Sequence, residues 1–519
     1  MKEIGVGISC FNEIIERKYL YVDKTEFIWK LLQENMGEYF LIRPHGFGKS
    51  LLISTLKAAF LGQRGLFKGL AIDKMPYSWK PYPVVHFDFG DCKANTPDKF
   101  CRYLDEALQR LATVLGITLH GCNCTLRFAD LINKAAGDDK VVVLVDNYDM
   151  PFSRNVGSPS VHGIHRLLRD FLLPIKGCND KIHFALLAGT HKIWLADCFG
   201  GLNNLTDITL KTDYADMLGF TETEIREHFA DRIPLAAAAN GCTEEELMQT
   251  LLKWYDGYRF SNAETHVCNP VSLSTFFSNN YEFSNYWGKT GMPSFLLELA
   301  KNTRFNFELA LSQPVSDLVF GAYELDNLDP MGLLWQTGYL TIKELVPSPL
   351  GNGVFYRLGF PDLEVEQSFN MQLLTYYSGF RDMEMSAVLT RLMSSIRENR
   401  IGDFMKTLQS YFASIPYDIH GGDERYYQTI FFITFLLLGT AVEAESRTSD
   451  GRIDAVIATM DHVFIFEFKL DKPAPTALEQ IEDKEYYLKY RSSGKAITLI
   501  GASFDQSRGK LAEWKLLDL

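Results

Sequence analysis

The segment Tyr39-Phe-Leu-Ile-Arg-Pro-His-Gly-Phe-Gly48-Lys49-Ser50-Leu51 constrains this chain more than any other stretch. An apolar β-type run passes through a glycine-containing turn into a helical pattern, the order that a phosphate-binding loop requires. Glycines let backbone N–H groups crowd around an anion, and the helix N-terminus adds partial positive charge. A lysine then reaches the terminal phosphates while a hydroxyl holds Mg²⁺. Gly46, Gly48, Lys49, Ser50 and Leu51 are therefore the expected cradle. The strict spacing G-x-x-x-x-G-K-[ST] would put glycine where Arg43 stands, so only the Gly48-Lys49-Ser50 core matches. By itself a surface turn explains that core equally well.

The partner such a loop needs is an acid ending a later strand. Val141-Val-Val-Leu-Val-Asp146 supplies it, with five apolar residues running into the carboxylate that would hold Mg²⁺ alongside Ser50. The next residue is Asn147, and an amide takes no proton at neutral pH. Turnover then needs a base elsewhere, with Asp149 the nearest in sequence. A third strand, Phe184–Gly189, ends at Thr190, a place for either a γ-phosphate sensor or an ordinary solvated turn.

Around these strands the first part of the chain alternates short apolar runs with helical patterns, which reads as α/β with a largely parallel sheet. Strands are expected at Tyr39–Arg43, Val84–Phe89, Val141–Asp146 and His183–Ala188. From Asp213 to Leu325 the pattern is mostly helical. A β-like patch follows at Gly338–Glu344 and Val354–Gly359, then helix from Val365 to Tyr411, with weak linkers at Pro347–Gly353 and Ile415–Gly422. The 519 residues carry 52 Lys and Arg against 65 Asp and Glu, a net charge of −13, which excludes a nonspecific nucleic-acid coat. Nine scattered cysteines without a CxxC pair suggest a reduced, cytoplasmic protein without a zinc finger. The most apolar run, Ile430–Thr440, is too short to span a bilayer and reads as a buried helix.

A second constellation lies near the C-terminus. Ile453–Thr459, which follows Gly451-Arg452 and carries Asp454, and Val463-Phe-Ile-Phe-Glu467-Phe-Lys469-Leu470 read as two antiparallel strands, with a further strand at Ala496–Ile500 after a helix. Glu467 and Lys469 are two apart and share one face of an otherwise apolar strand. Burying such charges is costly unless they pair or bind metal. Asp454 and Glu467 converging with Lys469 suit Mg²⁺-assisted phosphodiester hydrolysis, the acids holding the ion and the lysine stabilising charge. Glu424 and Gln480, each on a flanking helix, are further catalytic candidates. A solvated Glu–Lys cross-pair is the alternative.

With these segments in view, the chain resembles the AAA-ATPase-like bacterial family, of Bacteroidetes type, that carries a C-terminal nuclease-like domain of the PD-(D/E)XK superfamily. Tyr21-Val-Asp-Lys-Thr-Glu-Phe-Ile28, Arg43-Pro44, Phe47-Gly-Lys-Ser50, Val145-Asp146, Tyr148-Asp149, Gly201-Leu-Asn-Asn204, Tyr255-Asp-Gly-Tyr258, Gly451-Arg-Ile-Asp454, Glu467-Phe-Lys469 and Gln480-Ile481 carry the likeness. It implies a P-loop NTPase-like parallel-sheet domain over 1–212, a mostly helical lid or connector over 213–370, and a small α/β restriction-endonuclease-like domain over 371–519. His45 and Gly46 stand where the family has two arginines, and Asn147 where it has glutamate. The resemblance implies ATP and Mg²⁺ as cofactors and a Mg²⁺-dependent nuclease acting on DNA or another nucleic acid under nucleotide control, with no membrane partner and oligomers possible. The other reading is a nucleotide-sensing interaction protein with little hydrolysis, because Asn147 replaces the base and residues 371–519 hold 17 Lys and Arg against 21 Asp and Glu, with no basic excess. A third keeps the ATPase active and the C-terminal domain structural.

Overall fold

The computed structural model of the chain describes residues 1–33, 37–192, 204–290, 311–323, 327–348, 351, 353–415, 430, 433–435, 437–438, 443–449, 452–485, 487–505 and 510–519. They divide into two compact units, Met1–Val365 and Glu366–Leu519.

In the first unit β1 (Gly37–Ile42), β2 (Val84–Asp88), β3 (Val141–Asp146), β4 (Ile182–Gly189) and β5 (Thr206–Asp207) form one sheet in the order β2-β3-β4-β1-β5. Every pairing is parallel. All six residues of β3 are buried, as expected for a strand covered by helices on both faces. The α/β expectation holds, and the four strands expected here match β1 to β4 with ends shifted by one or two residues. β5 escaped the sequence reading because two paired residues leave no periodic pattern. The Pro97–Leu115 helix shows the local logic of the covering layer. Thr96 caps its start by accepting from the Lys99 N–H, and Gly116 ends it in the left-handed conformation.

The helical middle folds onto this sheet unit. Val22, from the N-terminal segment, packs in one apolar cluster with Ile225, Phe229, Leu247, Leu251, Tyr255 and Phe276. Tyr258, Phe260, Tyr286 and Trp287 are also buried, so the aromatic-rich middle is packing surface. Gly338, expected to start a strand, is instead the left-handed cap (φ 91°) of the Pro330–Thr337 helix. β6 (Thr341–Pro347) and β7 (Val354–Gly359) pair as a hairpin across the segment expected to be a linker.

In the second unit the helical stretch from Val365 resolves into helices Leu363–Ser378, Asp382–Arg397 and Ile401–Ala413. A mixed sheet follows, β12-β11-β10-β9-β8, built from β8 (Glu443–Ser449), β9 (Arg452–Ala458), β10 (His462–Leu470), β11 (Ala496–Asp505) and β12 (Lys510–Asp518). β9 and β10 are antiparallel as expected, and β10 and β11 run parallel across the Ala474–Asp483 helix. Val463, Ile465, Ile481, Ile497 and Leu499 form the core between that helix and the sheet. Most of the expected linker Ile415–Gly422 lies outside the described residues, as does part of Ile430–Thr440. No described helix is long and apolar enough to cross a membrane.

Candidate functional site

The loop after β1 folds as its glycines demand. Gly46 and Gly48 both have positive φ, 83° and 87°, and Gly48 is the N-cap of the Lys49–Phe60 helix. A Cβ on Gly46 would meet Asn269 Oδ1 at 2.8 Å, so an arginine there would displace the asparagine. Asn269 in turn donates through Nδ2 to the His45 carbonyl at 3.0 Å, and the Trp287 indole N–H donates to the same oxygen at 3.2 Å. Burial, then Lys49, pushes the His45 imidazole down to about 4, so it is neutral at pH 7. Arg43, the residue that breaks the strict motif, is buried and serves the fold. It donates to the carbonyls of Ile42, Thr209 and Tyr214 and lies 4.2 Å over the Phe260 ring.

Lys49 Nζ donates to the Arg43 and Pro44 carbonyls, at 2.8 and 3.0 Å. Burial brings this ammonium down to about 8, against the opposing pull of Asp149 and Asp146. Asp146, at the end of β3, accepts from its neighbour's backbone N–H at 2.9 Å. Burial raises its carboxyl to about 6, although the Ser50 hydroxyl bonded to it pulls the other way. A hydroxyl and a carboxylate held together are hard oxygen donors of the kind Mg²⁺ takes, so the pair fits that ion.

Asp149, the sequence candidate for a base, is buried and engaged through one of its oxygens. Its Oδ2 accepts from the Thr190 and His191 N–H groups, both at 2.9 Å, and contacts His191 Nδ1 at 2.7 Å. Burial alone would raise this carboxyl, but the His191 ring and the two N–H donors hold it below the usual carboxylate range. Thr190 is thus tied to Asp149 through its backbone. Gly46, Gly48, Lys49, Ser50, Leu51 and Asn147 line a single cavity of about 260 Å³. Its far wall was not anticipated: Ile4–Ser9 and Tyr21 at the N-terminus, with Phe220, Phe229 and Val271 from the middle region. The Gly5-Val-Gly7 pattern was the available signal, and Gly7 does take φ 76°.

In the second unit Glu467, Lys469 and Gln480 converge. Glu467 is 0% exposed and Lys469 Nζ lies 3.0 Å from its Oε1. The Lys469 ammonium also donates to Gln480 Oε1, from the Ala474–Asp483 helix. Glu467 Oε2 is buried without a hydrogen-bond partner among the described residues. Such an orphaned carboxylate oxygen is costly unless a cation meets it, so the donor set fits a divalent ion. Asp454 stands directly opposite Glu467 in the β9–β10 register. Glu424 lies outside the described residues.

Comparison with known proteins agrees with this division. Residues 5–199 match a family described as "Predicted AAA-ATPase", and residues 422–514 match one described as "PD-(D/E)XK nuclease superfamily". A protein of Azotobacter chroococcum mcd 1, described as an uncharacterized protein in the vnfD 5' region, is 35% identical over 521 residues, covering 97% of each chain.

Proposed function

We infer, from the family to which this chain belongs (AAA-ATPase-like proteins with a C-terminal domain of the PD-(D/E)XK nuclease superfamily), that it is an ATP-binding protein with a Mg²⁺-dependent nuclease centre acting on DNA under nucleotide control. The two domains support nucleotide binding and a nuclease-like fold; the metal, the DNA and the control are the finer reading. The observation that carries it is the buried Glu467 carboxylate, with one oxygen on Lys469 and the other without a partner among the described residues, opposite Asp454 in register.

In this reading Asp454 and Glu467 hold the ion in the nuclease centre, and Ser50 and Asp146 hold the one beside the nucleotide. The ions supply charge neutralisation at the phosphates and a more acidic bound water. Lys469 is aimed by Glu467 and Gln480, so its ammonium is placed to stabilise charge developing on a phosphodiester oxygen. Lys49 supplies the corresponding charge at the nucleotide, exchanging its two loop carbonyls for phosphate oxygens.

The test is cleavage of duplex DNA, single-stranded DNA and RNA by the full chain with Mg²⁺ or Mn²⁺, with and without ATP. The expected result is a metal-dependent cut that disappears in Glu467→Gln. If every substrate stays intact under all these conditions, the nuclease reading is rejected. The second reading, a nucleotide sensor whose nuclease-like fold only binds, is favoured by Asn147 at the position of the usual base. It expects ATP binding without phosphate release.

A further inference from the structure

We propose that Asp88 is the proton acceptor for ATP hydrolysis in this chain, aimed by Asn147; the assignment rests on the nucleotide reading above. Asp88 is the last residue of β2 and pairs in register with Asp146 of β3. Adjacent strands lie about 4.8 Å apart, so the two carboxylates end neighbouring strands at the same edge of the sheet. At that edge Asn147 leaves β3 with φ 51°, a left-handed conformation uncommon outside glycine. The turn brings its Nδ2 to Asp88 Oδ1 at 3.0 Å, and the Gly90 N–H donates to the same oxygen at 2.7 Å. The fit there is close: a Cβ on Gly90 would meet Asp88 Oδ1 at 3.0 Å and Asn147 Nδ2 at 3.3 Å.

All hydrogen bonds that the described side chain of Asp88 accepts fall on Oδ1, and the residue is exposed. Among the described residues Oδ2 accepts no hydrogen bond, on a carboxylate that two N–H groups hold in place. Asn147 also lines the cavity of Gly48, Lys49 and Ser50, so Asp88 stands one hydrogen bond behind that wall. The other acids at this edge are buried, Asp146 beside Ser50 and Asp149 against Thr190 and His191. Replacement of the usual glutamate by Asn147 thus does not leave the site without a base. The amide becomes a positioning residue, and the carboxylate comes from the neighbouring strand.

In the step assigned to Asp88, a water oxygen forms a bond to the γ-phosphorus. The bond from that phosphorus to the β,γ-bridging oxygen breaks, and its electron pair leaves on ADP. The water proton passes to Asp88 Oδ2 and then to solvent, giving ADP and inorganic phosphate.

The experiment measures two quantities on the full chain with Mg²⁺: binding of a fluorescent nonhydrolysable ATP analogue, and phosphate release from ATP. In Asp88→Asn, phosphate release falls by about 100-fold or more while analogue binding stays within about twofold, the loss expected for a removed general base. Asn147→Ala lowers kcat with KM unchanged. Adding Asn147→Glu to the Asp88→Asn variant returns turnover; if it does not, what was lost was not the proton acceptor and the assignment falls. Phosphate release in Asp88→Asn within threefold of the unaltered protein overturns the assignment, as does loss of binding together with turnover, which marks Asp88 as structural. Analogue binding with no phosphate release by the unaltered protein defeats the assignment alone. Absence of analogue binding defeats the nucleotide reading as well.

Discussion

At the level of single residues, the positions at which the chain departs from the pattern it resembles are held by steric and electrostatic conditions that the sequence by itself conceals. Gly46 has positive φ and lies against Asn269, and His45 is neutral at pH 7. Restoring the family's arginine at position 46 is therefore expected to damage the loop. A non-glycine residue there costs on the order of 1–3 kcal/mol in backbone strain before any clash. Gly46→Arg should weaken ATP binding about tenfold or more, as 1.4 kcal/mol is tenfold in affinity, and an analogue titration reads it directly. Unchanged affinity would show that Asn269 yields. Glu467 and Lys469 were legible because two charges in VFIFEFKL break an apolar strand. Their energetics follow from burial: Lys469→Ala strands a buried carboxylate and should cost about 3–5 kcal/mol, whereas an apolar replacement of both is nearly neutral for stability. Urea denaturation of Lys469→Ala beside Glu467→Leu/Lys469→Met separates the two cases, and equal losses would contradict the buried-pair account.

At the level of elements, the interior strands were read from their apolar runs. The strands missed are those whose residues carry no such run. β8 is the polar EAESRTS, and β12, KLAEWKLLD, has its apolar residues broken up by Lys510, Glu513, Lys515 and Asp518, charges of the kind by which edge strands discourage further pairing. Tertiary proximity was also invisible: Cys101 and Cys124, from two helices, bring their Sγ atoms to 3.5 Å, with Asp105 alongside and bound to Arg127. The ends of β1 and β3 set a pH dependence for the nucleotide site. Asp146 is raised from 3.8 to about 6, so in the folded protein its ionisation is penalised, and the stability it contributes is present below 3.8 and lost as pH rises through 6. Lys49 is lowered from 10.5 to about 8, so its contribution is present above 10.5 and lost as pH falls through 8. Between 6 and 8 both groups are charged at a cost that Mg²⁺ and phosphate relieve. Nucleotide affinity should therefore be highest in that window, falling below about 6 as Asp146 protonates and above about 8 as Lys49 loses its proton. A titration series from pH 5 to 9 tests this, and a flat profile would count against the roles of both residues.

At the level of the whole molecule, the sequence marks the two chemical centres but not how the middle region completes the first. The contacts that pin the loop join residues 224 and 242 positions apart, His45 with Asn269 and with Trp287, and no local pattern announces such pairs. A Cβ on Gly338 would meet Pro44 at 2.5 Å, so the same loop is also clasped by the turn before β6. These contacts explain why Met1–Val365 clusters as one unit although its sequence changes from α/β to helical near residue 213. They also predict how nucleotide acts on stability. A ligand held at Lys49, Ser50 and Asp146 stabilises the unit that contains them, by about 2.7 kcal/mol at a concentration of 100 Kd. It leaves Glu366–Leu519 untouched unless binding is transmitted between units. Calorimetry of the full chain should therefore resolve more than one transition, with Mg²⁺ and the ATP analogue raising one of them by a few degrees. Lys49→Ala should abolish that rise, and Glu467→Gln should leave it intact. A rise of all transitions together would contradict this independent response of the two units.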